Sequence, residues 1–398
     1  MKFSQLVTRI AGDGADAWRT HYAAQAAQDR GEDVIILSIG DPALSTPAPV
    51  VERAIAALRA EDTHYTTARG RETLRRAIAQ LHERRSGQRV GEDEVVITSG
   101  AQNALLTAAM CLAGEGDEVL TFDPFYATYP GTLKASGADL VPVPLRAANG
   151  FRLDPADLEA ALTPRSRALF LANPGNPTGI ILSTEEWAAI GDIARRHDLW
   201  IVADEVYAGL APDGRVPGLA KTMPERVVTL GSLSKTHAMC GWRAGWMIGP
   251  KTLMDHAENL LIGMLYGLPG FIQEAALVAL DMTDESERKT RDYCNLRSQL
   301  MVDHLQGVPG TAILPPQAGM FLLLDIRGTG LDSTAFTARL FQAHGVAVMD
   351  GLAFGEQARG FVRLSFAIDE TAIVEACRRI RQFCEGLAAA SPRSVPSR

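Results

Sequence analysis

The chain has 398 residues, too many for one simple core, so two lobes are expected, and its 46% hydrophobic and 22% charged residues exclude a disordered protein. A net charge of −8 excludes nonspecific nucleic-acid binding, which needs a basic face. Cys111, Cys240, Cys294, Cys377 and Cys384 form no Cys-x-x-Cys pair and are odd in number, which argues against a disulfide framework or a zinc site and predicts reduced thiols.

Near the N-terminus Arg9 and Asp13 interrupt the chain before a long apolar segment develops. Neither a secretory leader nor a membrane span is legible, and a cytoplasmic protein is expected. From about Val50 to Leu280, apolar runs alternate with helical patterns, which predicts an α/β fold with a mostly parallel sheet wrapped by helices. Glu94-Val95-Val96-Ile97-Thr98 reads as a strand, and Ser99-Gly100-Ala101-Gln102-Asn103-Ala104 as a tight turn opening a helix. Backbone N–H groups and the positive end of a helix dipole converge there, so a phosphate fits; a plain turn with Ser99 as N-cap fits the same residues. The strand Glu118-Val119-Leu120-Thr121-Phe122 leads into Asp123-Pro124-Phe125-Tyr126-Ala127-Thr128-Tyr129-Pro130, where Tyr126 is either a ring for stacking or ordinary packing.

Ala168-Leu169-Phe170-Leu171-Ala172 is followed by Asn173-Pro174-Gly175-Asn176-Pro177-Thr178-Gly179, a turn ahead of a helix opening near Ser183-Thr184-Glu185-Glu186, and a place where an asparagine amide is held as a donor. Leu199-Trp200-Ile201-Val202-Ala203 reads as a buried parallel strand closing on Asp204-Glu205-Val206-Tyr207. An unpaired carboxylate at that strand end is costly, and a protonated pyridine nitrogen is a suitable partner for Asp204, with Tyr207 within reach of a ring hydroxyl. Ser232-Leu233-Ser234-Lys235, with Arg243 eight residues beyond the lysine, sets an imine-forming amine beside two hydroxyls and a phosphate-holding guanidinium. The tetrad alone also occurs on solvated turns. In this order with the asparagine and the aspartate, it is the chemistry of a pyridoxal 5'-phosphate site.

Farther on, Gly319-Met320-Phe321-Leu322-Leu323-Leu324-Asp325-Ile326 and Phe361-Val362-Arg363-Leu364-Ser365-Phe366 read as strands and residues 368–387 as an amphipathic helix, with a frayed tail after Ala388. Gly12-Asp13-Gly14 and Gly328-Thr329-Gly330 lack the third glycine and the strand-to-helix setting of a dinucleotide turn. Cys240, close to the lysine, reads as a small packing residue.

With these motifs in this order, the chain resembles the class I aminotransferases, fold type I enzymes dependent on pyridoxal phosphate. The resemblance runs nearly end to end and implies a large cofactor domain over residues 50–285 and a small domain formed from 1–49 and 286–398. It makes Lys235 the residue that condenses with the cofactor aldehyde and later moves the substrate proton, and pairs Asp204 with the ring nitrogen. Tyr207 and Asn176 hold the ring oxygen and Tyr126 stacks on the ring. Gly100, Ala101, Gln102, Ser232, Ser234 and Arg243 surround the phosphate. Arg363 clamps the substrate α-carboxylate, with Asn176 and Gly40 of Ser38-Ile39-Gly40-Asp41-Pro42 beside it. Tyr65, in Thr63-His64-Tyr65-Thr66-Thr67-Ala68-Arg69-Gly70, would enter the site of a second subunit, giving a homodimer with shared sites.

The implied reaction moves an amino group from an L-α-amino acid to a 2-oxo acid in a ping-pong cycle, with no nucleic-acid or membrane partner. Related aspartate aminotransferases carry a lysine where this chain has Ala101, which weakens a dicarboxylate donor. Residues 9–15, His64-Tyr65, Glu258-Asn259-Leu260-Leu261, Met264-Leu265-Tyr266-Gly267 and Phe271-Ile272-Gln273 are similar to the arginine–pyruvate branch of the family. A basic or neutral donor with pyruvate as acceptor is therefore expected, although Ala43-Leu44-Ser45 stands where acidic residues are common; Tyr266 lines the side-chain pocket or an interface. An aspartate-type aminotransferase and a carbon–sulfur β-lyase of the same fold remain as alternatives, while a DNA-binding regulator would need a basic module for which the chain has no room.

Overall fold

A strand hydrogen-bonded on both edges and covered on both faces is nearly continuously apolar, and the runs at Val119–Phe122 (broken only by Thr121), Leu169–Leu171 and Ile201–Ala203 meet that condition. In the computed structural model, which describes residues 1–11 and 18–390, they are central strands of a seven-stranded sheet. Its spatial order is Val95–Ser99, Ala244–Ile248, Val227–Ser232, Trp200–Asp204, Ser166–Ala172, Glu118–Asp123, Asp139–Pro144. Every neighbouring pair is parallel except those made by Ala244–Ile248, which runs antiparallel to both its neighbours. The mostly parallel α/β sheet expected from the sequence is what the chain forms.

Helices cover both faces of this sheet. Gly100–Leu112 and Lys251–Met264 pack through Ala104, Leu105, Ala108, Leu253, Ala257 and Leu261 against one side. Thr184–Arg196 packs through Trp187, Ile190 and Ile193 against the other. Thr184–Arg196 starts where its sequence says, with Ser183 and Glu186 forming a reciprocal capping box. Gly100–Leu112 does not start as the alternative reading supposed. The Ser99 side chain makes no cap bond, and its N–H is taken instead by Asn103 Oδ1 at 3.1 Å.

A four-stranded antiparallel sheet, ordered Met349–Asp350, Phe361–Ser365, Phe321–Asp325, Ala312–Leu314, carries the second large core with Phe336, Ile373 and Phe383. A two-stranded parallel pair joins Ile35–Ile36 to Val346–Ala347, so the N-terminal segment is hydrogen-bonded to the C-terminal part of the chain. The closing helix spans Glu370–Ala390, starting two residues later than the apolar period suggests because Asp369 accepts from the Thr371 N–H. Gly12-Asp13-Gly14 and the tail from 391 lie outside the described residues. Gly328-Thr329-Gly330 closes a short 3-10 turn. Among the described residues no helix is long and apolar enough to cross a membrane.

Candidate active site

Parallel sheets gather their functional side chains at the carboxyl ends of the strands, where the chain leaves the sheet. Here Ser99, Asp123, Asn173, Asp204 and Ser232 each end or directly follow a strand. Asp204 is 8% exposed. Its Oδ2 accepts from the Tyr129 hydroxyl at 3.2 Å and its Oδ1 from the Val206 N–H at 3.3 Å, and no cation pairs with it directly. Burial pushes its carboxyl up to about 6, against the opposing pull of these donors and of the more distant Lys235 ammonium. Tyr129 was not among the residues the motifs singled out. Its signal is burial at a helix start, Tyr129–Lys134, three residues beyond Tyr126, and the two rings meet edge to face at 6.0 Å.

Lys235 Nζ donates to the Gly40 carbonyl at 2.5 Å and lies 3.8 Å from Cys240 Sγ. The thiol donates to the Ser234 carbonyl at 3.1 Å and burial pushes it up to about 11, so it is a packed neutral thiol as the sequence suggests. Ser232 and Ser234 are buried beside the lysine, the Ser234 N–H reaching Ser232 Oγ at 3.4 Å. All five cysteines are free.

Arg243 sits in the left-handed region at φ 55°, and its guanidinium is held by the Cys240 carbonyl at 2.7 Å and the Ser99 carbonyl at 3.3 Å. Gly100 has φ 76°, and a Cβ there would overlap the same guanidinium, while one at Gly245 would lie 2.6 Å from the Gly100 backbone. Two glycines thus let Arg243 and the strand Ala244–Ile248 close on the N-terminus of helix Gly100–Leu112. Backbone N–H groups at a helix start with an arginine beside them suit a phosphate. Ala101 adds no cation to it. Gln102 turns its amide to Thr132 Oγ1 at 2.5 Å and accepts from Thr128 Oγ1 at 3.0 Å. A cleft of about 1440 Å³ opens beside Ser99, Gln102 and Arg243.

The guanidinium of Arg363 is almost wholly buried, at 3% exposure, between the rings of Phe321, 3.8 Å away, and Phe354, 4.6 Å away. Nη1 donates to Asn176 Oδ1 at 3.0 Å and Nη2 to the Ser38 carbonyl at 2.6 Å, but Nε is buried with no partner among the described residues. Burial pulls Arg363 down to about 10, so it remains a cation at neutral pH. A cation this buried with an unpaired donor suits a carboxylate. Tyr207 is buried, edge to face with Phe321 at 6.2 Å, and burial holds its hydroxyl protonated well beyond the ordinary range. Asn173 pins the loop, donating to the Pro217 carbonyl at 3.1 Å and accepting from the Leu182 N–H at 3.0 Å, which leaves Asn176 as the residue facing the arginine.

The strand ends and the small sheet therefore bring together Gly40, Tyr126, Asn176, Asp204, Tyr207, Ser232, Ser234, Lys235 and Arg363, with Gly100, Ala101, Gln102 and Arg243 at the phosphate end. Tyr65 is not brought in by its own chain. It is 86% exposed, with the ring of Tyr266 4.8 Å away. The Ala43-Leu44-Ser45 stretch is tied into the fold, Ala43 N–H to the Ala367 carbonyl at 3.2 Å and Leu44 against the core of the antiparallel sheet.

The residues fit pyridoxal phosphate: a buried carboxylate for the ring nitrogen, a glycine-flanked helix N-terminus with Arg243 for the phosphate, and the Lys235 amine in the same site. Comparison with known proteins agrees. The profile of aminotransferase class I and II matches residues 32–380. The arginine–pyruvate transaminase of Pseudomonas aeruginosa is 46% identical over 96% of this chain and 97% of its own. The valine–pyruvate aminotransferase of Mycobacterium tuberculosis is 34% identical over 92% of this chain and 94% of its own. Among solved structures, the aspartate aminotransferase of Thermus thermophilus with maleate superposes with a TM-score of 0.90 at 29% identity, covering 96% of this chain and 99% of that one.

Proposed function

The chain belongs to the class I and II aminotransferases and is a pyridoxal-phosphate-dependent transaminase, and from that premise we propose that it passes the amino group of a basic or neutral L-α-amino acid, arginine first among them, to pyruvate. The observation that carries this reading is the pair of buried charged groups in the site that holds Lys235: Asp204, with no cation in direct contact among the described residues, and Arg363, with its Nε unpartnered among them. One is placed to face a cationic ring and the other a substrate carboxylate.

When bound, pyridoxal phosphate supplies an aldehyde that condenses with amines and a protonated ring that draws electrons from the substrate Cα. The chain does the rest. Asp204 would keep the ring nitrogen protonated, Tyr207 and Asn176 would hold the ring oxygen, and Tyr126 would support the ring. Ser232, Ser234, Arg243 and the Gly100-Ala101-Gln102 turn would hold the phosphate. Arg363 would hold the α-carboxylate and so orient the Cα–H toward Lys235. The Lys235 Nζ would take up that proton, hold it, and give it back in the second half-reaction. Tyr207 and Arg363 are buried and would help keep water away from the reacting carbon.

The choice of substrates rests on the arginine–pyruvate and valine–pyruvate relatives and on the absence of a cation at Ala101 to receive a second carboxylate. We also infer a homodimer in which Tyr65 reaches the partner's phosphate, supported by the exposed apolar surface of Tyr65, Ile262, Met264, Leu265 and Tyr266. A cofactor lobe over 50–285 and a second lobe of 1–49 with 286–398 are supported by the pairing of Ile35–Ile36 with Val346–Ala347. A cytoplasmic location is supported by five free thiols.

Single turnovers test the reading. Holoenzyme mixed with each of a panel of L-amino acids, without acceptor, should release one equivalent of 2-oxo acid from arginine or another basic or neutral donor, and pyruvate added afterwards should become alanine. Release of 2-oxo acid from aspartate alone would move the assignment to a dicarboxylate aminotransferase. Pyruvate and ammonia from a cysteine conjugate would make the protein a β-lyase.

A further inference from the structure

The carboxylate of Asp123 is not part of the proposed chemistry, yet it is 5% exposed and fully engaged. It ends the strand Glu118–Asp123 of the parallel sheet, three residues before Tyr126. Its Oδ2 accepts from the Glu356 N–H at 3.0 Å and its Oδ1 from the Gln357 N–H at 3.1 Å. Those two residues belong to the 3-10 turn Glu356–Ala358, in the connection between the antiparallel strands Met349–Asp350 and Phe361–Ser365. The same connection carries Phe354, whose carbonyl accepts from the Phe125 N–H at 2.9 Å and whose ring lies on the guanidinium of Arg363. Gly355, at φ 112°, lets the carboxylate come this close, since a Cβ there would overlap Asp123.

We propose that Asp123 is a positioning residue for substrate binding: by clasping the Glu356–Gln357 backbone to the parallel sheet, it holds Phe354 against Arg363 and so fixes the guanidinium that receives the α-carboxylate. The inference rests on the reading of Arg363 given above. The structure supplies the reason this contact is worth a buried charge. Met349 pairs with Arg363 across the strands and places its sulfur 3.4 Å from Nη2, so one wall of the guanidinium slot is already fixed by strand register. The Phe354 wall ends the short 3-10 turn Gly351–Phe354 between two strands; the Phe125 N–H holds its carbonyl, and the turn that follows it needs an anchor of its own. Two backbone N–H donors directed at an ionised carboxylate make a strong one. Burial pushes Asp123 up to about 6, with the negative charge of Glu356 adding to the effect, and the two donors oppose that rise, so at neutral pH the group is a carboxylate that needs both of them.

The test is Asp123→Asn, which keeps the shape and one acceptor but turns an amide donor toward the second N–H. In holoenzyme, KM for the amino donor and for the 2-oxo acid should rise together by on the order of ten-fold, with kcat within about two-fold and cofactor content and absorbance unchanged. The dissociation constant of isovalerate, an unreactive monocarboxylate, should weaken by the same factor. Phe354→Leu, which leaves the clasp intact, should show the same KM increase, and the double variant should be no worse than either single one. Unchanged KM in both variants, additive effects in the double variant, or a fall in kcat and cofactor retention without a KM shift would each overturn the inference. If the wild-type enzyme transaminates nothing, the functional reading fails instead, and isovalerate binding still reports on the clasp.

Discussion

Lys235 Nζ is bonded to the carbonyl of Gly40 at 2.5 Å, across 195 residues of sequence. This contact brings the N-terminal segment to the lysine, and the glycine has a second duty there. A Cβ at position 40 would overlap the ring of Phe321, and that ring carries the Arg363 guanidinium on its face at 3.8 Å. Gly40→Ala should therefore be felt at the carboxylate. Overpacking of about 1–3 kcal/mol corresponds to kcat/KM falling by on the order of ten- to a hundred-fold, with the cofactor retained in full. Steady-state kinetics alongside cofactor stoichiometry measure it; a change under two-fold would mean that Phe321 moves aside without taking Arg363 with it.

Arg363→Lys keeps a positive charge and loses the fork. A lysine ammonium cannot donate to Asn176 Oδ1 and the Ser38 carbonyl while presenting a bidentate face to a carboxylate, and it does not stack between Phe321 and Phe354 as a planar guanidinium does. Loss of one or two charge-assisted bonds, each about 1.5–3 kcal/mol, predicts KM for both substrates raised by on the order of a hundred-fold, with a smaller effect on kcat. Isothermal titration with isovalerate should lose its signal in this variant. Retention of wild-type affinity would remove Arg363 from the site.

The motifs made most of the candidate site legible because the chemistry imposes residue types at strand ends: Lys235 after a strand, Asp204 closing one, Asn176 in a proline-rich turn. Strand boundaries were legible to within a residue or two, Val95–Ser99 beginning one residue late because Glu92–Glu94 forms a 3-10 turn. What sequence could not give is anything that depends on two distant segments meeting. Tyr129 and not only Tyr126 faces Asp204 because helix Tyr129–Lys134 tucks its first residue under the sheet end. Phe321 and Phe354 come from a strand and a loop that flank Arg363 only once the antiparallel sheet is assembled. Asp123 reads in the sequence as the start of a turn; its partners lie more than two hundred residues on.

Asp204 predicts a dependence on pH that distinguishes the cofactor-free protein from the holoenzyme. In the cofactor-free fold its carboxyl rises from the ordinary 3.8 to about 6, chiefly through burial. The unfolded chain ionises first, so stability contributed by this group is intact below about pH 4, falls as pH rises toward about 6 and is then lower by a constant of about 3 kcal/mol. Asp204→Asn does not ionise. Without cofactor its melting temperature should match that of the wild type near pH 4 and exceed it by several degrees at pH 7.5. Adding pyridoxal phosphate at pH 7.5 should raise Tm far more in the wild type, because the cationic ring compensates the buried charge only there. The variant's kcat should fall by on the order of 10²–10⁴-fold. Calorimetry with and without cofactor at the two pH values reads all of this, and an equal cofactor-induced rise in both proteins would separate Asp204 from the ring.

Tyr65 gives the last prediction, because its own fold leaves it without a role. The ring is 86% exposed and leans on Tyr266, itself exposed, and Ile262, Met264 and Leu265 extend the same apolar surface. Covering that surface with a second copy would bury it and carry Tyr65 toward the other chain's Arg243 and the start of its helix Gly100–Leu112. Tyr65→Ala should then weaken cofactor retention in a site whose own residues are all present, and Lys235→Ala should abolish turnover while still taking up cofactor that borohydride no longer fixes to the chain. Each homodimer is impaired in both of its sites. A mixed dimer has one site with Lys235 from one chain and Tyr65 from the other, both intact. Unfolding and refolding the two variants together at equal amounts should restore up to about a quarter of wild-type activity, half the dimers being mixed and half their sites complete. Refolding each alone should restore only that variant's own reduced activity, none for Lys235→Ala. Absence of complementation in a sample that sediments as a mixed dimer would place Tyr65 outside the partner's site and leave Tyr266 and its neighbours as a purely structural contact.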